Sequence, residues 1–312
     1  MAKSSPERPV SQLSSSVSDQ TPAIRLLVSV TSAEEASAAL AGGADVIDAK
    51  NPLAGALGAV PVDVLREIHA TVAGARLVTA AIGDAADETA IERTAGTFAA
   101  AGAALVKVGF AGIASASRIE ALIRAAVRGV SAGDGTWGRA IRPVGSGLSR
   151  IGPPEGGPHV RCRGVVAVAY ADADRVASLS ADAFVDVAAR GGATGVLLDT
   201  ADKTGPGLRE LMTSTGLARW VAQAHEAGML VALAGKLAAE DLAFVRDAGA
   251  DIAGVRGAAC EGGRTGRVSS EKVGQLRTLC NPPKGGSHVQ ELADVRDLAD
   301  VRDLADVRGI RL

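Results

Sequence analysis

Between residues 26 and 279 the chain alternates eight times between a short apolar run and a segment whose apolar residues recur at helical spacing. Few folds accept such a rhythm, because each helix must return the chain to the start of a new parallel strand. The runs are LLVSV (26–30), DVIDAK (45–50), RLVTAAIG (76–83), ALVKVG (104–109), GVVAVAYAD (164–172), TGVLLD (194–199), MLVALAG (229–235) and DIAGVRG (251–257). Several are almost continuously apolar, as expected for parallel strands covered on both faces. Helices are expected over EEASAALAGG with Ser32 as N-cap, and over 61–73, 88–101, 115–128, 181–190, 207–227, 238–248 and 270–279. Eight βα units predict an α/β fold, a (β/α)8 TIM barrel. A doubly wound open sheet is the competitor, weakened because no GxGxxG follows the first run.

The expected organisation is one barrel domain over 24–281, interrupted by an insertion at 129–163 that is rich in Gly, Pro and Arg. The insertion reads as a lid or as partly disordered chain. Residues 1–23 are polar and Ser/Pro-rich and read as a disordered leader. Residues 282–312 carry a LADVRD repeat whose apolar members, Leu292, Val295, Leu298, Val301, Leu304 and Val307, fall every third position. A step of three slips backwards around an α-helix, so they make neither a stripe nor a heptad seam. The tail reads as disordered or weakly helical chain, with an oligomerisation segment as the alternative.

Composition narrows the function. Net charge is −2, which gives no global pull toward nucleic acid or an anionic membrane. No apolar run approaches the roughly 20 residues of a membrane span, and no secretory signal is visible. The three cysteines, Cys162, Cys260 and Cys280, lack metal-ligand spacing and suit free thiols in a reducing cytoplasm. The four histidines suggest neither a triad nor a metal centre, so no metal and no cofactor is expected. Small barrels often associate, so a homo-oligomer is compatible with the chain, with no particular size indicated.

The informative residue is lysine. There are seven lysines against 26 arginines. Where any cation would serve, this chain uses arginine, which does not give up its proton. Yet Lys50, Lys107 and Lys203 stand at or just beyond the ends of the second, fourth and sixth runs. In a (β/α)8 barrel the active site lies at those ends, and alternate strands share a layer. Asp48 precedes Lys50 by two residues and faces the same way. Asp199 ends the sixth run, four residues before Lys203. Clustered, buried amines lower one another's proton affinity, and a neutral amine can attack a carbonyl to form an imine. Three separate salt bridges at the barrel rim are the bland alternative.

A second signal is phosphate recognition. ALAGK (232–236) and GVRGAAC (254–260) close the seventh and eighth runs, where such barrels commonly hold a phosphate on backbone amides. Gly235, Lys236, Arg256 and Gly257 are the candidates, with close packing by glycine as the alternative. Tyr170 reads as a pocket hydroxyl or a core aromatic, and Asp84 as a pocket carboxylate or a cap.

In order along the chain, LLVSV, DVIDAKNPLAGALGA, AAIGD, VKVGF, YADADR, LLDTADKTG, LAGK and GVRGAAC closely resemble the (5-formylfuran-3-yl)methyl phosphate synthase family, over about Leu26 to Cys280. The leader, the insertion and the repeat tail lie outside the resemblance. It implies a barrel lyase of methanofuran-type cofactor biosynthesis that condenses two molecules of glyceraldehyde 3-phosphate. By the same resemblance Lys50 forms the Schiff base, Lys107 is the general base, and Asp48, Asp199 and Lys203 complete the site. Lys236 stands where the pattern has a small hydroxyl residue. The competing readings are an ordinary Schiff-base aldolase, another phosphate-sugar barrel enzyme, and a non-catalytic phosphate-binding barrel. The expected partner is a small phosphorylated aldehyde.

Overall fold

The computed structural model describes residues 23–132 and 163–281. The expected leader, nearly all of the expected insertion and the repeat tail lie outside the described residues. Eight parallel strands close a barrel in sequence order, with the eighth pairing back to the first.

The first half runs β1 (Arg25–Val30), α1 (Ala33–Ala41), β2 (Val46–Ala49), α2 (Val62–Val72), β3 (Leu77–Asp84), α3 (Glu88–Ala100), β4 (Leu105–Gly109) and α4 (Ala116–Ser131). The second half runs β5 (Gly164–Tyr170), α5 (Ala181–Gly191), β6 (Gly195–Asp199), α6 (Leu208–Leu211), α7 (Ser214–Glu226), β7 (Leu230–Leu233), α8 (Leu242–Asp247) and β8 (Ile252–Val255). A short antiparallel ribbon follows, β9 (Cys260–Glu261) with β10 (Arg267–Val268), and α9 (Ser270–Cys280) ends the barrel. Helix starts are set by local chemistry. Ser32 accepts from the Glu35 N–H, as expected, and Asp87, Ser115, Thr213 and Ser269 cap α3, α4, α7 and α9 in the same way.

Period two along the strands divides their side chains between two cores. One face packs on the helices, where Val28, Ile47, Val106 and Leu198 join the larger cluster. The other fills the barrel with Leu27, Val46, Leu105, Val166, Leu197 and Ile252. Continuing along the inward face toward the C-terminal ends, the residues turn polar. Ser29, Asp48 and Thr79 are register partners across β1, β2 and β3, and Tyr170 is the partner of Asp199 across β5 and β6.

Three elements depart from expectation. α4 does not stop at Arg128 but runs to Ser131, into the segment read as an insertion. Gly129, the first residue of that segment, is a helix–helix contact: a Cβ there would collide with the Glu92 carbonyl of α3, and one at Gly96 would lie 3.0 Å from the Gly129 carbonyl. The helix expected over 207–227 is two helices. The Thr213 hydroxyl accepts from the Gly216 N–H and starts a new one, a competition with the backbone that Thr readily wins. The ribbon β9–β10 was not expected at all, since strands of two residues carry no periodicity.

Candidate active site

The loop after β2 places the first amine. β2 ends at Ala49, but the Lys50 N–H still donates to the Val30 carbonyl of β1, so Lys50 keeps the inward direction of its strand. The chain then turns through Pro52–Ala54, and the Asn51 N–H donates to the Gly58 carbonyl. A Cβ at Gly58 would collide with the Asn51 carbonyl, so the closing contact requires glycine.

Asp48 and Lys107 form one half of the site. Asp48 is fully buried and accepts three hydrogen bonds, from the Ser29 and Thr79 hydroxyls at 2.9 and 2.7 Å and from Lys107 Nζ at 2.5 Å. Lys107 is 5% exposed. A buried pair is tolerable when its lone pairs and protons are satisfied, and Ser29 and Thr79 satisfy those of the carboxylate.

Asp199 and Lys203 form the other half. Asp199 Oδ1 accepts from Lys203 Nζ at 2.6 Å and from the Thr200 N–H at 2.8 Å. Lys203 Nζ also lies 3.3 Å from the Thr200 hydroxyl. The loop carrying Lys203 is held from below by Asp172, which is buried and accepts from the Ala201 and Asp202 N–H groups.

Lys50 lies between the halves. Its Nζ is 3.7 Å from Asp199 Oδ2, beyond hydrogen-bond range. Burial pushes the Lys50 ammonium down to about 8; Asp199 pulls it back up, and Lys107 and Lys203 push it further down. For Asp199, burial opposes the charge, but Lys203 and Lys50 outweigh it and hold the carboxyl down to about 2. The expected convergence of Lys50, Lys107 and Lys203 with Asp48 and Asp199 is therefore present.

Tyr170 ends β5, and its hydroxyl donates to Asp84 Oδ1 at 2.7 Å. Asp84 also accepts the Ala111 N–H at 2.9 Å. Burial, then Asp84, pushes the Tyr170 hydroxyl up, so it remains a donor. Gly109 permits this pairing, since a Cβ there would collide with both the Tyr170 hydroxyl and Asp84.

The four phosphate candidates separate. Gly235 has φ +106°, and its carbonyl accepts the Leu208 N–H, joining the β7 loop to α6. Lys236 is left-handed at φ +60°, and its Nζ donates to the Gly205 carbonyl in the Lys203 loop. Gly257 opens the turn after β8. Arg256 does not fit its expected role. Its guanidinium pairs with Glu35 at 2.5 and 3.0 Å and also donates to the Ser29, Arg264 and Gly266 carbonyls. That accounts for all five donors, so Arg256 ties the β8 loop to β1 and α1 and has none left for an anion.

Sequence reasoning missed Ser29 and Thr79, although a hydroxyl inside an apolar strand was a usable signal. It also missed Asp172, whose partners are remote in sequence. His69 packs against Gly102, and His225 pairs with Asp251, which precedes β8 at the end of the barrel away from the lysines. Among the described residues no group of three or more His, Cys, Asp or Glu could hold a metal ion, and no helix is long and apolar enough to cross a membrane.

A closed parallel barrel whose C-terminal mouth holds three amines and two buried carboxylates has the architecture of a (β/α)8-barrel enzyme. The chain belongs to the (5-formylfuran-3-yl)methyl phosphate synthase family. The family profile described as 4-HFC-P synthase matches residues 26–142 and 157–277. Only 143–156 falls between the matched segments, so the family pattern extends into the region first read as an insertion outside it. Relatives named (5-formylfuran-3-yl)methyl phosphate synthase include one from Methanopyrus kandleri, 39% identical over 81% of this chain and 97% of the relative. Others come from Methanocaldococcus jannaschii, 35% identical over 82% and 99%, and Methanosarcina barkeri, 34% identical over 82% and 99%. Among solved structures, KGPDC from Streptococcus mutans superposes with a TM-score of 0.51 at 14% identity, over 82% of this chain and 98% of that one. That likeness concerns the barrel fold alone.

Proposed function

We propose that this protein condenses two molecules of glyceraldehyde 3-phosphate into (5-formylfuran-3-yl)methyl phosphate through a Schiff base on Lys50, in the cytoplasm, as a step of methanofuran-type cofactor biosynthesis. The observation that carries the reading is the inequality of the three amines. Lys107 and Lys203 are each fastened to a carboxylate at 2.5 and 2.6 Å. Lys50 meets its carboxylate at 3.7 Å and is pushed down to about 8, so it is the amine that becomes a nucleophile near neutral pH.

In this reading Lys50 attacks the first aldehyde, and the carbinolamine loses water to give the imine. The imine acidifies the neighbouring C–H. Lys107, an ion pair with Asp48, enters the cycle as a proton donor and, once it has given its proton away, serves as the base. The resulting enamine attacks the second aldehyde. Elimination of phosphate, ring closure and dehydration follow, and hydrolysis releases Lys50. Two C3 phosphates thereby become one C6 furan phosphate, one inorganic phosphate and two waters. Lys203 and Asp199 stand beside Lys50 to exchange protons during imine formation and release. The loops at Gly235, Lys236 and Gly257 are the proposed phosphate cradle.

Borohydride trapping tests the proposal. The protein is incubated with glyceraldehyde 3-phosphate, reduced and digested, and the modified lysine is located by mass spectrometry, with the unreduced reaction assayed for furan. An adduct on Lys50 with a furan product is expected. An adduct without furan would favour a simple aldolase. No adduct on folded protein would overturn the imine and favour a binding barrel.

A further inference from the structure

Residues 51–58, which follow Lys50 directly, cover the barrel mouth. Leu57 is 2% exposed and belongs to the cluster that fills the barrel, with Ala81, Val168 and Tyr170. A Cβ at Gly109 would lie 2.6 Å from Leu57 Cδ1, which puts the leucine directly above β4 and its Lys107. The opposite side of the same loop faces out, with Leu53 at 80% exposure. The loop therefore places one leucine over the site, where Lys107 and Asp199 are buried and Lys50 keeps 12% of its side chain exposed.

What holds it there comes from the far end of the chain. Arg264, in the turn between β9 and β10, donates to the Pro52 carbonyl at 2.5 Å and to the Gly55 carbonyl at 2.9 Å. Its own carbonyl is fixed by Arg256, which is anchored on Glu35. Burial, Asp199 and Arg256 all act on the Arg264 charge, so the guanidinium lies within electrostatic reach of the lysine site. Along the outer side of the loop a groove of about 550 Å³, lined by Ser32, Glu35, Pro52, Leu53 and Arg267, leaves room for it to swing outward.

We propose that residues 51–58 are a lid over Lys50 and that Arg264 is its latch, which trades the Pro52 and Gly55 carbonyls for the phosphate of an entering phosphorylated aldehyde. The trade is favourable because two neutral acceptors are replaced by a dianion that suits the same planar fork and strengthens both bonds by charge. It also selects the substrate. An aldehyde without a phosphate cannot release the latch and meets Leu57 instead. The phosphate part rests on the function proposed above; the latch part does not.

The test uses the full chain and Arg264→Ala. Without ligand, amide hydrogen exchange over 51–58 is expected to be roughly tenfold faster in the variant, since two charge-assisted hydrogen bonds are gone. Inorganic phosphate is expected to speed the same exchange in the parent and to change nothing in the variant. Borohydride trapping on Lys50 is expected to favour glyceraldehyde 3-phosphate over glyceraldehyde in the parent. In the variant the unphosphorylated aldehyde gains and that preference falls by about tenfold, the discrimination carried by one bidentate charged contact. Arg264→Lys keeps the charge without the fork; it should leave the lid loose while restoring part of the phosphate preference. Unchanged exchange over 51–58 in Arg264→Ala would overturn the latch. If neither aldehyde traps on the parent, the imine reading fails, and the exchange measurements with inorganic phosphate still decide the latch.

Discussion

Lys50 Nζ stands 3.7 Å from Asp199 Oδ2, a buried carboxylate oxygen with no hydrogen-bond partner among the described residues. The spacing is too long for a hydrogen bond, so the carboxylate raises the proton affinity of the amine by charge alone without fastening it. It separates Lys50 from Lys107 and Lys203, and the main predictions follow from it.

Imine formation should rise with pH through one ionisation near 8, the value to which burial pushes Lys50. The pH dependence of trapping at limiting aldehyde measures it. Lys50→Met should abolish trapping on that position and lower kcat by at least about a thousandfold, as loss of a covalent nucleophile does.

The same substitution should stabilise the fold. Below pH 8 Lys50 is protonated in both states, and the folded protein bears the full cost of burying it. As pH rises from about 8 to 10.5 the folded state loses the proton first, so stability of the parent rises with pH. Lys50→Met removes that cost. A gain of about 1 kcal/mol, seen as ~2–4 °C in Tm at pH 7, is expected and should fade above pH 10.

Asp199 works in the opposite window. Its carboxyl is held at about 2, so its contribution is complete above pH 4 and is lost as pH falls through 2. Asp199→Asn should lack this acid-side loss. It also removes a charge that pulls Lys50 upward, so the acid limb of the trapping profile should move to lower pH by about one unit. A limb that stays in place would mean that Asp199 does not set the Lys50 titration.

Asp48→Asn leaves Lys107 buried without its carboxylate and should cost about 3–5 kcal/mol, read from the urea midpoint of the buried Trp220 fluorescence. Adding Lys107→Met should recover a large part of that loss, because the double variant buries no lone charge.

Arg256 supplies a contrast between scaffold and site. Arg256→Ala and Glu35→Ala should each destabilise by about 3 kcal/mol or more, and the double variant by about 2 kcal/mol less than their sum, since the second change removes an already orphaned partner. Urea midpoints of the parent, the two single variants and the double variant measure this coupling; strictly additive losses would mean that Arg256 and Glu35 do not act as a pair.

Much of this architecture was legible because it depends on short-range periodicity. Alternation of two along each strand put Asp48 and Lys50 on one face, and apolar runs separated by helical segments implied the eight-stranded barrel. Ser32 announced its helix because capping is a contact between neighbours. What the sequence could not rank was the pairing. Asp48 and Lys50 look like partners, yet two residues along a strand are about 6.6 Å apart, and the carboxylate instead meets Lys107 from β4, two strands away.

The same reason explains Arg256, Arg264 and Gly129. Arg256 read as an anion ligand because it follows β8, but closing the barrel brings β1 and α1 beside it and commits its donors to Glu35 and Ser29. Arg264 meets carbonyls more than 200 positions earlier in the chain. Gly129 marks a helix contact with α3, not an end. The sequence alone determined the elements, their order and which residues face the mouth, because those follow from local backbone geometry. Only the tertiary structure decided which charge neutralises which, and so which lysine is left to react, because ring closure brings those partners together and burial makes their pairing matter.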